Sequence, residues 1–205
     1  MLDPHQAKTA VPIVKAEQLI NVRSEILMSQ DLGHRLMPLL LPDGIILRPE
    51  TPQDKAFLFA LFHSTAWDDL APMPLDDTTK EALVRMQFAS QTQTYRAQFP
   101  HARFDIVEWH GAPIGRIVVD DGEAMGCIVD FALMPDSRSK GLGTAILAAA
   151  MQRFVRLQRP VRCKVLINNA PSLRMCQRVG FRQIEVIPPF LQLEWQPTVS
   201  PDTAP

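Results

Sequence analysis

The sequence predicts an α/β (α+β) domain in which a mixed central sheet carries helices on its faces. Three observations predict this class. Short apolar segments of strand length alternate with amphipathic segments of helix length, turn residues separate them, and no internal repeat interrupts the series. The predicted order over residues 44–195 is β-α-α-β-β-β-α-β-α-β-β. A length of 205 residues fits one such domain with flanking segments.

Two flanking segments differ from this pattern. Residues 1–43 are predicted to be an N-terminal extension, interrupted by prolines, that is either partly disordered or forms one short amphipathic helix between Ala16 and Met28. Residues 196–205 contain three prolines and little apolar content, which is typical of a flexible tail. The predicted domain therefore spans 44–195.

The first half of the domain begins with a short strand at Gly44–Arg48. Pro52 is expected to open a helix, because its missing N–H costs least in the first helical turn. Two prolines and two adjacent aspartates predict a loop over Ser64–Leu75. Asp76 is a favourable N-cap for a second helix that extends to about Gln98.

The middle of the domain is predicted as a hairpin, a strand and a long helix. The strands Arg103–Glu108 and Ile114–Asp120 flank a turn that contains Gly111. A more apolar strand follows at Gly126–Met134, and an Ala- and Leu-rich helix covers about Lys140–Gln158.

Four elements complete the predicted domain. A strand at Val161–Ile167 precedes a helix at Pro171–Val179, which Gly180 is expected to end. Two last strands, Arg182–Ile187 and Phe190–Trp195, surround a Pro-Pro pair.

Charge and cysteine content exclude several function classes. The chain has 21 Lys and Arg and 22 Asp and Glu, a net charge of −1, which argues against a dedicated nucleic-acid binder or a polybasic membrane clamp. Its apolar runs are shorter than the ~20 residues that a bilayer span needs, and the first residues lack a signal-peptide pattern. Three widely spaced cysteines and five histidines show no metal-site spacing. We therefore expect a cytoplasmic protein without a metal, a membrane partner or a nucleic-acid partner.

The segment Met134–Thr144 carries the clearest chemical signal. Gly141 and Gly143 lie where the long helix begins, and Arg138 and Lys140 add positive charge. A helix start offers unpaired N–H groups, so this segment suits a phosphate or pyrophosphate. Alternatively, the glycines only allow tight packing of the helix. The spacing matches neither a P-loop nor a Rossmann turn.

Two motifs give this chain a specific resemblance. Arg138–Gly143 reads Arg-Ser-Lys-Gly-Leu-Gly and matches the R/Q-x-x-G-x-G/A signature of the GNAT superfamily of acyl-CoA-dependent N-acetyltransferases. Ile167–Phe181 resembles the later family segment N-x-x-A-x-x-L-Y-x-x-x-G-F. The resemblance covers about residues 44–195. It implies the GNAT fold, in which a mixed, mostly antiparallel central sheet with helices on both faces is splayed at the cofactor site.

The resemblance also implies acetyl-CoA (coenzyme A) as cofactor. The arm of the cofactor would enter a gap between the strand at 131–133 and the strand Val161–Ile167, and its pyrophosphate would lie on the N–H groups of 139–144. Asn169 would contact the arm, or cap the helix that follows, or do both. The implied cofactor-binding residues are Phe131, Ala132, Leu133, Met134, Arg138, Ser139, Lys140, Gly141, Leu142, Gly143, Thr144 and Asn169.

The implied reaction is direct attack of a neutral amine on the thioester, helped by N–H groups near Leu133 and Met134. The family tyrosine that protonates the leaving sulfur corresponds to Cys176, which is either a proton donor or a packing residue. Asp130, an isolated charge in an apolar strand, is the first candidate for the base, or else a structural hydrogen-bonding residue. Glu108 is the second candidate.

The acceptor would be a small-molecule amine or a protein amino group. Trp67, Asp68 and Asp69, with the last hairpin at 188–191, are the candidate acceptor-binding residues, although two adjacent aspartates are also common in solvated turns. Two other interpretations stay open: a non-catalytic acyl-CoA-binding or interaction module, and a homodimer formed through the extension.

Overall fold

The computed structural model describes Leu41 and residues 43–197, so the predicted extension and most of the predicted tail lie outside the described residues. The strands are β1 (Ile45–Pro49), β2 (Arg103–Trp109), β3 (Ala112–Asp120), β4 (Gly126–Leu133), β5 (Val161–Leu166), β6 (Arg182–Ile187) and β7 (Phe190–Trp195). The helices are α1 (Lys55–Leu70), α2 (Asp77–Gln98), α3 (Leu142–Leu157) and α4 (Ala170–Val179), with 3₁₀ turns at Pro52–Asp54 and Pro135–Ser137.

One seven-stranded sheet in the order β1-β2-β3-β4-β5-β7-β6 forms the centre of the domain. Every neighbouring pair is antiparallel except β4 and β5. The main core lies between one sheet face and α3 and α4, where Ile117 of β3 and Phe154 of α3 are almost fully buried. Because side chains alternate along a strand, Ile106 and Val118 are buried on the other face, beside α1 and α2. The predicted fold class, with helices on both faces, is confirmed.

The sheet splays between β4 and β5. These parallel strands pair only over Gly126–Ile128 and Val161–Cys163, and the register of β4 against β3 shifts just beyond this point. The remaining parts of the two strands separate toward Leu133 and Leu166. The result is a gap that is open at the carboxyl ends of both strands.

Most predicted bounds agree with the structure. The last two strands end where they were predicted, and Gly180 ends α4 in the left-handed region with φ +103°. Asp76 caps α2, because its carboxylate accepts a hydrogen bond from Thr79 N–H at 2.9 Å. The turn and cap residues in the sequence therefore predicted these boundaries correctly.

The predicted loop at Ser64–Leu75 is wrong over its first half, since α1 continues to Leu70. Ala66 and Leu70 are buried against Val84 of α2, and this packing extends the helix through the adjacent aspartates. Trp67, Asp68 and Asp69 consequently lie on the last turns of α1 rather than in a loop.

Candidate functional site

A cradle of backbone N–H groups precedes α3. In the described part of the chain, the N–H groups of 139–144 have no backbone acceptor, and the first helical hydrogen bond joins Ala145 N–H to the Gly141 carbonyl at 3.1 Å. Ser139 and Gly141 both adopt positive φ, at +60° and +79°, which turns the chain tightly here. Six consecutive free N–H groups at a helix start form a site suited to a phosphate or pyrophosphate.

The two glycines of the cradle have different roles. A Cβ on Gly141 would meet no atom within 4 Å, so this position faces open space. A Cβ on Gly143 would lie 3.0 Å from Sδ of Met175, so this glycine allows α4 to approach α3. A glycine at position 141 therefore suits the close approach of a ligand, whereas a glycine at position 143 allows tight packing of α4 against α3, as in the alternative interpretation.

The two basic residues of the cradle are held by neighbouring groups. Arg138 Nε donates a hydrogen bond to the Leu133 carbonyl at 2.8 Å, which ties the cradle to the end of β4. The Lys140 ammonium lies 5.5 Å from the ring centroid of Trp109, a cation–π contact that holds it at the rim. Sequence reasoning missed Trp109, because only the fold brings the β2–β3 turn beside the cradle.

The gap between β4 and β5 has a free strand edge. Met134 N–H donates to the Ile114 carbonyl of β3 at 2.8 Å. Because the N–H groups of an antiparallel strand point alternately to its two sides, the N–H of Ala132 also points toward β3. The N–H groups of Phe131 and Leu133 consequently face the gap, where an extended amide ligand would pair with them. Because the Met134 N–H is already bonded to β3, the structure argues against its predicted part in polarising a thioester, and its role as a cofactor-binding residue stays a prediction.

Gly115 supports this free edge from the neighbouring strand. It lies opposite Leu133, and a Cβ on Gly115 would overlap the backbone carbonyl oxygen of Ala132. We expect Gly115→Ala to push β4 away, to destabilise the protein by about 1–3 kcal/mol, and to weaken acetyl-CoA binding. Thermal melts with and without acetyl-CoA measure both effects. An unchanged melting temperature together with unchanged binding would contradict this prediction.

A cavity of about 220 Å³ lies beside the gap, on the α2 face of the sheet. Residues of α2, β4, β5 and β7 form its walls: Gln91, Tyr95, Phe99, Cys127, Ile128, Val129, Arg162, Cys163, Lys164, Leu166, Phe190 and Gln192. The cavity includes Ile128 and Cys163, the last residues that pair before the strands separate. It therefore adjoins the apex of the gap.

Asp130, the first candidate for the base, is paired with a buried arginine. Its Oδ2 accepts hydrogen bonds from Arg116 Nε at 2.9 Å and Nη2 at 2.5 Å. Arg116 also donates to Gln91 Oε1 at 3.2 Å and lies over the Tyr95 ring. Burial disfavours the charged form of Arg116, but the negative charge of Asp130 keeps the pKa of Arg116 above its usual value. The geometry favours the structural alternative for Asp130, and its role as base stays a prediction.

Glu108, the second candidate, is far from the cavity. Its carboxylate accepts a 2.6 Å hydrogen bond from Arg48 Nε, and Arg48 also pairs with Asp54 at 2.7 Å. Strands β3 and β4 separate its strand from β5, a distance of about 14 Å at normal strand spacing. The structure therefore does not bring Glu108 to the gap.

Cys176 is buried in the core between α4 and β5, with 4% of its surface exposed. Its thiol neighbours the Cys163 thiol, and this interaction together with burial raises the pKa of Cys163. This environment agrees with the packing alternative for Cys176, and its role as proton donor stays a prediction.

Asn169 caps α4, since its Oδ1 accepts a hydrogen bond from Ser172 N–H at 3.1 Å. The predicted capping role is thus present in the structure. The side-chain amide N–H groups have no role in this cap, so the cofactor contact stays a separate prediction.

The predicted acceptor residues on α1 do not line the cavity. Trp67 stacks on His63 with 4.9 Å between ring centroids, and His63 contacts Glu81 of α2 at 3.0 Å. From Glu81 to Tyr95, α2 extends about 21 Å at the normal helical rise. Asp68 and Asp69 follow Trp67 on the same helix, and burial raises the pKa of Asp69. Acceptor binding by these three residues stays a prediction.

Comparison with known proteins agrees with this geometry. Residues 45–182 match the family described as acetyltransferase (GNAT) domain. No curated protein sequence matches the chain significantly. Among the described residues, no helix has the length and apolarity to cross a membrane, and no group of three or more His, Cys, Asp and Glu side chains is placed to hold a metal ion.

Solved structures share the fold at low sequence identity. PaiA N-acetyltransferase from Thermoplasma acidophilum, in complex with coenzyme A, is 16% identical with a TM-score of 0.58, over 74% of this chain and 98% of that one. An acetyltransferase from Thermus thermophilus is 22% identical with a TM-score of 0.53, over 78% of this chain and 99% of that one. At these identities the likeness concerns the fold.

Proposed function

Because the chain belongs to the GNAT acetyltransferase family, we propose that it transfers an acetyl group from acetyl-CoA to a primary amine. The acceptor is a small-molecule amine or a protein amino group. The three cysteines of the described chain are free thiols, which agrees with a reducing compartment, and the cytoplasm is the proposed location.

One observation carries this proposal: the cradle of free N–H groups at 139–144 is continuous with the free edge of β4. The cradle suits the pyrophosphate of acetyl-CoA, and the N–H groups of Phe131 and Leu133 suit the amides of its arm. Arg138 bonds the last carbonyl of β4, so both binding surfaces are held in one arrangement. The residues present therefore fit coenzyme A.

Bound acetyl-CoA supplies the acetyl group as a thioester. The lone pair of the neutral amine forms the new C–N bond, and the C–S bond breaks with its electron pair on sulfur. The amine proton leaves for solvent or for that sulfur, which is a weak base because thiols ionise near pH ~8.5. The N–H groups of Phe131 and Leu133 both face the gap, and the one that the arm leaves unbonded is positioned to stabilise charge on the carbonyl oxygen.

The test is a thermal-melt titration with acetyl-CoA, with ATP and NAD as controls, followed by an assay of thiol release with amines. Acetyl-CoA at a hundred times its Kd stabilises a protein by ~2.7 kcal/mol, roughly 5–10 °C for a chain of this size. We expect the melting temperature to rise with acetyl-CoA but not with ATP or NAD, and we expect thiol release to depend on the amine. The absence of a shift at millimolar acetyl-CoA would contradict the proposal.

A second candidate is a non-catalytic acyl-CoA-binding module on the same fold. The burial of Cys176 and the pairing of Asp130 with Arg116 favour it, because burial restricts access to the thiol and the ion pair occupies the carboxylate. This candidate predicts the same melt shift but no thiol release above background with any amine.

A further inference from the structure

The acceptor chemistry can be deduced from the cavity beside the gap, if the proposed function holds. We propose that this cavity binds the acceptor, and that it selects a small primary amine with an apolar, preferably aromatic body over a polyamine. The argument rests on the position, the size and the charges of the cavity.

The position of the cavity suits an acceptor. The cradle belongs to α3, which packs on one face of the sheet, whereas Gln91 and Tyr95 of α2 line the cavity on the opposite face. Ile128 and Cys163 lie at the apex of the gap and also line the cavity. A thioester held in the gap is therefore reachable from the cavity, while the cradle occupies the other side.

The size and the walls favour a compact apolar group. A volume of about 220 Å³ lies below the ~300–1,000 Å³ of sites that hold drug-sized ligands, so a compact ligand fits better than an extended one. Tyr95, Phe99 and Phe190 supply aromatic surface, and Leu166 and Val129 supply aliphatic surface. An aromatic body would bury its surface against these side chains and gain edge or stacking contacts.

The charges around the cavity disfavour a second ammonium group. Asp130 is bonded to Arg116, and Glu194 Oε2 accepts a 2.7 Å hydrogen bond from Arg162 Nε. Both of these carboxylates are thus occupied by guanidinium groups. A third carboxylate, Asp120, lies opposite Cys127 on β3, and burial raises its pKa, which disfavours its charged form. The titratable and charged groups around the cavity are Tyr95 on α2, Arg116 and Asp120 on β3, Cys127 and Asp130 on β4, Arg162 and Lys164 on β5, and Glu194 on β7.

The same surroundings favour the reactive form of the amine. Apolar walls disfavour an ammonium ion, so they lower the pKa of a bound amine and raise its neutral fraction. Burial raises the pKa of Tyr95 above its usual range, so its hydroxyl stays neutral and offers a hydrogen bond rather than a charge. The cavity therefore activates an amine without a dedicated carboxylate base.

The test compares three amines on the full-length chain with acetyl-CoA, using thiol release as the readout: 2-phenylethylamine, ethylamine and spermidine. We expect kcat/KM for 2-phenylethylamine to exceed the values for both others at least tenfold. Acetyl-CoA affinity is measured separately by calorimetry. If acetyl-CoA does not bind, the proposed function fails. If it binds and spermidine is preferred, or none of the three amines is acetylated, only the present inference is overturned.

Three variants on α2 test whether the preference for 2-phenylethylamine comes from the cavity. Gln91→Phe fills the cavity, Gln91→Leu removes the same amide without adding a ring, and Gln93→Phe adds the same ring at an exposed position. We expect Gln91→Phe to lower kcat/KM for 2-phenylethylamine at least tenfold below Gln91→Leu, with acetyl-CoA affinity within twofold. Equal rates for the two Gln91 variants would overturn the assignment of the cavity.

Discussion

Gly141→Glu is expected to lower the affinity for acetyl-CoA at least about 100-fold, equivalent to ~2.7 kcal/mol. Gly141 faces open space in the middle of the N–H cradle, so the new side chain would occupy the position proposed for the pyrophosphate. Its carboxylate would also repel the phosphates and compete for the free N–H groups of 139–144. Calorimetric titration with acetyl-CoA measures the loss directly.

Gly111→Glu is the matched control for this variant. Gly111 has the same φ of +79°, and a Cβ there would also meet no atom within 4 Å. Both variants therefore carry the same new charge and the same left-handed strain of roughly 1–2 kcal/mol. Unchanged acetyl-CoA affinity in Gly141→Glu would mean that the cradle does not hold the cofactor, and an equal loss in both variants would mean that the added charge, not its position in the cradle, weakens binding.

Asp130→Ala is expected to destabilise the protein by about 3 kcal/mol, because it leaves a buried guanidinium without its partner. The side chain of Arg116 is only 8% exposed, and Asp130 is its ion-pair partner. For a chain of this size the melting temperature should fall by roughly 6–12 °C. Thermal or urea unfolding of the purified variant measures this loss, and an unchanged melting temperature would contradict it.

The double variant Arg116→Met with Asp130→Leu separates a structural role of this pair from a catalytic one. Replacing both charges with apolar side chains of similar volume should restore most of the stability, since no charge is left unpaired. Thiol release is then compared at equal stability. A loss of about 10²–10⁴-fold in the stable double variant would identify Asp130 as the general base, whereas a smaller loss would favour the ion-pair role.

Local chemistry explains which elements were predictable. The last two strands were located because a Pro-Pro pair separates two runs of strand-forming residues, and α4 because Gly180 adopts a conformation that favours glycine. The end of α1 was not predictable in this way. Its aspartates have weak helix propensity, but contacts of Ala66 and Leu70 with α2 outweigh that preference.

The candidate site was predictable only where it is local in sequence. Residues 139–144 form a continuous segment, so a motif describes them completely. Asp130 looked like an isolated charge, because Arg116 is its neighbour only through the β3–β4 pairing. The sequence around Gln91 and Tyr95 gave no indication of a site, since their proposed role depends on where α2 lies against β4 and β5.

The short β4–β5 pairing divides the sheet into two halves, one of four strands and one of three, which the backbone joins through only three residues of each strand. A ligand whose amides bond to the edge of β4 lies along the seam between these halves. Its binding free energy therefore also stabilises the association of the two halves of the sheet. Occupancy of the gap would make the two halves unfold as one cooperative unit, and the empty protein would have its weakest hydrogen-bonded boundary at the place where the chemistry is proposed.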